Sequence, residues 1–139
     1  MRITFIGAGS VGFTQKLVRD ILSVDELQDI EFALHDISEL NMNMVHKLLE
    51  KDIEANKLPA KISQFLNRSQ ALEGAKYIIN CSRIGGLEAF KHDIEIPLKY
   101  GVDQCVGDTV CAGGILYGQR SIPAVLDFCS DISSNSENA

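Results

Sequence analysis

A glycine-rich segment near the start of the chain has the residue types and spacing of a phosphate-binding turn. Its sequence, Gly7-Ala8-Gly9-Ser10-Val11-Gly12, fits the pattern G-x-G-x-x-G. In such a turn the first glycine permits the tight bend, the second lets a pyrophosphate approach the backbone, and the third lets helix and strand pack closely. The hydroxyl of Ser10 adds a donor at the same place. We therefore predict that these six residues bind the phosphates of a dinucleotide.

A single carboxylate could complete this site. Asp36 stands just after an apolar run, Ile30 to Leu34. A carboxylate there can accept hydrogen bonds from both hydroxyls of an adenosine ribose and would repel a 2′-phosphate, so NAD is favoured over NADP. The alternative is a plain tight turn with Asp36 as a helix cap. Motif, context and acid agree, and this agreement favours dinucleotide binding.

Five later residues carry polar groups, four of them at the ends of expected strands and one, Arg120, in the helix that follows. Cys81 and Ser82 follow one such strand and are predicted to contact the cofactor. Arg83, Asp108 and Arg120 are predicted to meet a sugar substrate, because the carboxyl ends of parallel strands line the ligand crevice. The alternatives are an ordinary connecting loop, an aspartate that caps a helix and a solvated arginine.

The elements that must position these residues alternate between strand and helix. Strands are expected over Met1 to Ile6, Ile30 to Leu34, Ile62 to Leu66, Tyr77 to Ile79 and Val102 to Val106. Helices are expected over Gly12 to Ser23, from a cap at Ser38 onward, over Ala71 to Ala75, Glu88 to Tyr100 and Ile115 to Ile132. This order predicts an α/β fold, a Rossmann-like doubly wound parallel sheet.

Two finer expectations concern the helices. Leu40, Met44, Leu48 and Leu49 are expected to lie on one face of a long helix that begins after Ser38. Pro97 and Pro123 are expected to kink or interrupt their helices, because proline removes one backbone hydrogen bond. Residues 1–132 are assigned to an NAD-binding domain that is incomplete, and residues 133–139 to a polar tail.

Composition and charge exclude some partners. The chain has 139 residues, a net charge of -6 and four cysteines. Nucleic acid is not expected as a partner because phosphate binding requires a basic face. A membrane is not expected either, because no apolar run approaches the roughly 20 residues that a span needs. Without a basic leader before Ile3, the cysteines are interpreted as reduced thiols and the protein as cytoplasmic.

Several segments together resemble family 4 of the glycoside hydrolases. The segments are Ile3 to Ser10, Glu31 to Ile37, Ile96 to Gly101, Gly107 to Ile115 and Tyr117 to Pro123. The resemblance implies NAD and a divalent metal, usually manganese, as cofactors, and a glycosidase that departs from the two-carboxylate rule. It implies oxidation of the sugar at C3, loss of the C2 proton, elimination, addition of water and reduction.

The resemblance also implies that the catalytic base and the metal ligands are not among these residues. Members of the family run to several hundred residues, so the catalytic residues are expected beyond Ala139, with no metal ligand in this chain. The isolated fragment is expected to be inactive, and the full-length enzyme to be a homo-oligomer. Cys111-Ala112 stands where many members have Gly-Pro.

The substrate of the full enzyme is expected to be a galactoside. Members that act on 6-phosphorylated sugars carry an arginine at the place of Phe90, and phenylalanine cannot pair with a phosphate. An unphosphorylated α-galactoside is therefore favoured, and an α-galacturonide stays open. The other readings are a fragment of an NAD-dependent 2-hydroxyacid dehydrogenase and a dinucleotide-binding module without catalysis.

Overall fold

Short strands alternate with helices along most of the chain. A computed structural model describes residues 1–104, 110–136 and 139. The strands are β1 (Arg2–Ile6), β2 (Glu31–His35), β3 (Lys61–Phe65) and β4 (Tyr77–Asn80). The helices are α1 (Val11–Leu22), α2 (Glu39–Ala55), α3 (Arg68–Leu72), α4 (Gly86–Lys99) and α5 (Ala112–Asn135), and a 3-10 turn covers Asp25–Leu27.

The four strands form one parallel sheet in the order β3-β2-β1-β4. The chain moves outward from β1 to β2 and β3 and then returns to pair β4 on the other side of β1. Residue Ile6 pairs with His35 of β2 and with Asn80 of β4, so the strands on either side of β1 end level with it. This reversal of direction confirms the predicted α/β Rossmann-like sheet and places a switch point between the ends of β1 and β4.

The core lies around the two central strands. Phe5 on β1 and Phe32 and Leu34 on β2 are fully buried. The rings of Phe5 and Phe32 lie 6.2 Å apart between centroids, at an angle of 51°. Since strands of a parallel sheet are covered on both faces, their sequences are almost continuously apolar, as the two runs are here.

The buried face of α2 differs from the predicted apolar face. Its buried residues are Met42, Val45, Leu49 and Ile53, whereas Leu40, Met44 and Leu48 are exposed. α2 carries two adjoining apolar stripes, and of the four residues predicted on one face only Leu49 belongs to the buried stripe. Ser38 caps the helix as predicted, its hydroxyl accepting from the Asn41 N–H at 3.3 Å.

The chain divides into two units, Met1–Ser82 with Asp131–Ala139, and Arg83–Ser130. The second unit contains α4 and most of α5.

Pro97 and Pro123 lie inside α4 and α5 without interrupting them, so the expected breaks were wrong. One proline removes one hydrogen bond, and the remaining bonds of a 14-residue and a 24-residue helix keep the backbone helical.

The end of the chain and the expected fifth strand also differ from expectation. α5 continues to Asn135 rather than ending at Ile132, and the buried hydroxyl of Ser136 donates to the Leu72 carbonyl. Of the expected strand at Val102 to Val106, the first three residues are not in a strand, and the last two lie outside the described residues.

In the described part of the chain, no helix is both long and apolar enough to cross a membrane.

Candidate functional site

The turn after β1 is held by the end of β2. Gly7 has φ +82°, a conformation that favours glycine. The N–H groups of Gly7 and Ala8 both donate to the His35 carbonyl at 2.9 Å. A Cβ on Gly7 would lie 2.6 Å from the backbone N and Cα of Ser82. Gly7 is therefore required for the bend, as predicted, and also for the close approach of the chain that follows β4.

Gly9 meets Asp36 directly. Its N–H donates to Oδ2 of Asp36 at 2.7 Å, and a Cβ on Gly9 would lie 2.8 Å from the same oxygen. The other carboxylate oxygen, Oδ1, accepts from the Ser38 N–H at 2.8 Å. Each carboxylate oxygen can accept more than one hydrogen bond, so the half-buried Asp36 retains acceptor capacity for hydroxyl groups. This arrangement fits a ribose.

The third glycine does not have the role that its motif predicted. A Cβ on Gly12 would meet no atom within 4 Å, so Gly12 does not serve close packing of helix on strand. Gly12 lies in the first turn of α1 and is exposed to solvent.

The start of α1 offers backbone donors to an anion. The Thr14 N–H donates to the Ser10 carbonyl at 2.9 Å. The N–H groups of Val11, Gly12 and Phe13 come before this bond and have no carbonyl four residues earlier within the helix. Ser10 is the N-cap residue, it is exposed, and its side chain makes no capping hydrogen bond. Free N–H groups and the positive end of a helix are the elements of a phosphate site.

Two supporting residues of this site were missed from the sequence. Thr14 is fully buried, and its hydroxyl donates to the Ala8 carbonyl at 3.0 Å. The Asn80 Oδ1 accepts from the Ser82 N–H at 3.0 Å and from the Ser82 hydroxyl at 2.7 Å. A threonine in a helix and an asparagine after an apolar run carry no specific signal, although asparagine commonly bonds the N–H two residues on.

Cys81 and Ser82 lie at the carboxyl end of β4, beside the glycine turn. The Cys81 N–H donates to the Ile6 carbonyl at 2.7 Å, which extends the pairing of β4 with β1. The half-buried Cys81 side chain packs against the core. Burial raises the pKa of the Cys81 thiol above its ordinary value, so the thiol stays protonated and neutral near neutral pH. The structure thus brings Gly7, Gly9, Asp36, Cys81 and Ser82 together within one unit.

Arg83 lies against two aromatic rings in the second unit. The centre of its guanidinium is 4.5 Å from the ring centroid of Phe90 and 5.6 Å from that of Tyr117. A guanidinium over the face of an aromatic ring is attracted by the ring electrons. Arg83 is exposed. Phe90 is therefore a support for an arginine side chain in this unit.

Arg120 is an ion-pair partner rather than a solvated side chain. Its Nη1 and Nη2 donate to the two carboxylate oxygens of Asp93 at 3.1 and 2.6 Å, and its Nε donates to the Ile84 carbonyl at 2.9 Å. The hydrogen bonds that Arg120 donates to Asp93 raise the pKa of Arg120 above its ordinary value. Sequence reasoning missed Asp93, which looks like one more acidic position on an amphipathic helix.

Neither Asp108 nor a metal site is found among the residues that the structure describes. Asp108 lies outside the described residues, as do Gly107 and Thr109 of the same loop. In residues 1–104, 110–136 and 139, no three His, Cys, Asp or Glu side chains are grouped closely enough to hold a metal ion. The described residues therefore do not fit a manganese site, and no chemical step is assigned to a metal here.

A family model for the family 4 glycosyl hydrolases matches residues 2–139. The chain is 62% identical over 136 residues to an alpha-galactosidase of Rhizobium meliloti (strain 1021), a match that covers 98% of this chain and 28% of that protein. It is 36% identical over 132 residues to an alpha-galactosidase of Bacillus subtilis (strain 168), covering 94% of this chain and 31% of that protein.

A similar solved structure is the 6-phospho-beta glucosidase from Thermotoga maritima with manganese, NAD+ and glucose-6-phosphate. Its TM-score is 0.87 at 31% sequence identity, and the match covers 98% of this chain and 32% of that chain. The present chain thus spans less than a third of the length of these relatives.

Proposed function

The chain belongs to family 4 of the glycosyl hydrolases, and from this premise we propose that it is the NAD-binding part of an enzyme that hydrolyses α-galactosides. The single observation that carries the cofactor assignment is the contact between Gly9 and Asp36, with the Gly9 N–H on Oδ2 at 2.7 Å. This contact fixes a carboxylate beside the glycine turn, where an adenosine ribose would be recognised.

The residues of this chain would hold the cofactor by three kinds of contact. The N–H groups of Val11, Gly12 and Phe13 would bind the pyrophosphate at the start of α1. The hydroxyl of Ser10 would donate to the same group. Asp36 would accept from the ribose hydroxyls and would repel a 2′-phosphate. Cys81 and Ser82 would contact the cofactor from the end of β4.

When bound, NAD would supply reversible oxidation of a sugar hydroxyl. The contribution of the chain is to bind and orient the sugar, which we assign to Arg83 and Asp108, with Arg120 in support through its bond to the Ile84 carbonyl. The guanidinium of Arg120 is bonded to Asp93 and Ile84, and that of Arg83 lies over the Phe90 ring at 4.5 Å. The catalytic base and the metal ligands would come from other parts of the enzyme.

An unphosphorylated sugar is supported by the residue at position 90. Phe90 carries no charge and no donor, so it cannot pair with a phosphate. Instead its ring lies under the Arg83 guanidinium at 4.5 Å. The identity of 62% to an alpha-galactosidase supports the same substrate.

We also propose a cytoplasmic location and a homo-oligomer for the whole enzyme. Cys81 is a free thiol, as a reducing compartment requires. On α5, Ile115, Ile122 and Leu126 are each about 60% exposed, which supports further burial of this helix against protein. The net charge of -6 supports the expectation that nucleic acid is not a partner.

Calorimetric titration of the 139-residue chain tests the cofactor proposal. We expect NAD to bind more tightly than NADP, because Asp36 accepts ribose hydroxyls and repels the extra phosphate. Asp20→Asn removes one negative charge from the exposed side of α1. This control variant should keep the preference for NAD. Equal affinity for both, or a stronger signal from NADP, would remove Asp36 from the ribose site.

A chimera tests the activity. We expect no hydrolysis of p-nitrophenyl α-galactoside by the 139-residue chain alone. We expect hydrolysis, with NAD and manganese, when the chain replaces its matching segment in the Rhizobium meliloti alpha-galactosidase. In heavy water the released galactose should carry deuterium at C2. Hydrolysis without deuterium would favour direct displacement, and a chimera specific for 6-phosphoglycosides would overturn the interpretation of Phe90.

A further inference from the structure

Asp93 is a buried charge that the proposed function does not use. It lies on α4, its side chain is 2% exposed, and it faces Arg120 of α5 through two hydrogen bonds of 3.1 and 2.6 Å. Removing a carboxylate and a guanidinium from water is costly, and such a pair often stabilises a fold no better than apolar residues of similar size. A role in fixing geometry is therefore the better account of its presence.

The first segment that the pair fixes is the one that carries Arg83. The Nε of Arg120 donates to the Ile84 carbonyl at 2.9 Å. The chain makes room for this bond at Gly85, where φ is +84° and a Cβ would lie 2.9 Å from that Nε. A further turn follows, in which the Gly86 N–H donates to the Arg83 carbonyl at 3.1 Å. The position of Arg83 thus depends on Arg120.

The second segment is fixed through the backbone of Asp93. Its carbonyl accepts from the side-chain amide of Gln104 at 2.8 Å, and the Gln104 Oε1 accepts from the Gly113 N–H at 3.0 Å. A Cβ on Gly113 would overlap the Gln104 amide and would lie 2.5 Å from the Asp93 carbonyl. The backbone of Asp93 is thus joined through Gln104 to the first turn of α5.

We propose that Asp93 and Arg120 are a positioning pair that sets the substrate affinity of the enzyme by fixing the segment that carries Arg83. The inference rests on the proposed function, in which Arg83 meets the sugar. Arg120 acts through Arg83 and Ile84, and Asp93 acts through Arg120 and Gln104. NAD binding is assigned to other residues, so it should not depend on this pair.

Kinetics of the active chimera test the pair. Arg120→Lys keeps the positive charge but cannot make the paired bonds to Asp93 together with the bond to Ile84. We expect the KM for an α-galactoside to rise by about tenfold or more, with a smaller change in kcat and the same Kd for NAD. Asp93→Asn should act in the same direction.

The control is Arg19→Lys. Arg19 also bonds a carboxylate with two nitrogens, at 2.9 and 2.8 Å to Asp52, but it joins α1 to α2. We expect this variant to keep the KM of the unmodified chimera. An unchanged KM in Arg120→Lys would refute the proposal. So would a Kd for NAD that weakens as much as the KM, since that would indicate a general loss of structure.

Amide hydrogen exchange in the 139-residue chain supplies a measurement that needs neither activity nor cofactor. In Arg120→Lys the amides of Gly86 and Gly113 should exchange about tenfold faster, while that of Phe5 on β1 keeps its rate. Unchanged exchange at Gly86 and Gly113 would overturn the positioning role. Faster exchange in a chain that fails to bind NAD would instead locate the failure in the cofactor proposal.

Discussion

Gly9 and Gly12 belong to one motif but have opposite surroundings. A Cβ on Gly9 would lie 2.8 Å from Oδ2 of Asp36 and 2.9 Å from the Asn41 Cβ, whereas a Cβ on Gly12 would meet nothing within 4 Å. Packing thus requires a glycine at the position of Gly9 but not at the position of Gly12. Any requirement for glycine at position 12 would have to come from a bound ligand.

Alanine at each of the two positions separates the fold from the cofactor. We expect Gly9→Ala to destabilise the chain by about 1–3 kcal/mol, because the new methyl displaces Asp36. We expect Gly12→Ala to be neutral or to stabilise it by up to about 1 kcal/mol, because alanine is the better helix former. Urea unfolding of both variants measures the difference.

The matching titration with NAD completes that experiment. If Gly12 lets the pyrophosphate approach the backbone, Gly12→Ala should bind NAD more weakly although its fold is intact. A loss of stability in Gly12→Ala equal to that in Gly9→Ala would contradict the open surroundings of Gly12.

At this scale the sequence predicted which residues lie together, but not which contacts each of them makes. The spacing of the glycines and the acid after β2 correctly pointed to Gly7, Gly9 and Asp36 as neighbours. It did not predict that the Gly9 N–H is bonded to Asp36 itself. It also missed Thr14 and Asp93, because a buried hydroxyl or carboxylate is recognised by its partners, and partners depend on tertiary structure.

At the scale of elements, the pair formed by α1 and α2 is joined by a small polar cluster. Asp52 on α2 accepts from Arg19 at 2.9 and 2.8 Å and from Gln15 at 2.9 Å, both on α1. The hydrogen bonds from Arg19 lower the pKa of the Asp52 carboxyl below its ordinary value. A similar ion pair, between Arg2 and Glu31, joins β1 to β2. The hydrogen bond from Arg2 likewise lowers the pKa of the Glu31 carboxyl below its ordinary value.

The lowered pKa of Asp52 predicts a dependence of stability on acid. A carboxyl whose pKa is lower in the folded state contributes stability above its unfolded pKa, about 3.9, and loses it as the pH falls through the folded pKa. We therefore expect Asp52→Asn to lower the unfolding temperature at neutral pH by at most a few degrees, since exposed pairs contribute little. The difference should disappear at a pH below the folded pKa.

Calorimetric unfolding of the two proteins across this pH range is the measurement. Asp20→Asn, which removes a charge from α1 outside the cluster, should differ from the unmodified chain by less at neutral pH. A difference between Asp52→Asn and the unmodified chain that is the same in acid and at neutral pH would exclude the ion pair as its cause.

The elements were predicted better than their faces and their interruptions. Each of the four described strands lies within one residue of its expected range, because short apolar runs bounded by glycine or polar residues are a strong signal. The buried stripe of α2 was not predicted apart from Leu49, since periodicity allows two adjoining apolar stripes and tertiary packing decides between them. The breaks at Pro97 and Pro123 were wrong because propensity is a weak prior against the many other bonds of a helix.

At the scale of the molecule, the strand order β3-β2-β1-β4 decides which backbone is best protected. β1 and β2 have a partner on each side, and their side chains Phe5, Phe32 and Leu34 are fully buried. Within the described residues β4 pairs with β1 alone, and Tyr77 and Asn80 at its two ends are exposed.

Hydrogen exchange across the whole chain should follow this order. We expect the slowest amides to be those of Phe5, Phe32 and Leu34, because their exposure requires opening of the whole sheet. Amides of β4 should exchange faster by an order of magnitude or more, roughly in proportion to the smaller opening they require. Equal protection in β4 and β1, read by NMR or mass spectrometry, would indicate a further partner for β4.

The two backbone hydrogen bonds that Asp36 accepts have a consequence for changing the cofactor preference of such an enzyme. A usual design replaces the acid after β2 with a small or basic residue so that NADP is accepted. Here the same carboxylate holds the N–H groups of Gly9 and Ser38, so the replacement would also release two backbone donors beside the turn. A successful redesign would have to supply a new acceptor for Gly9 along with the new phosphate contact.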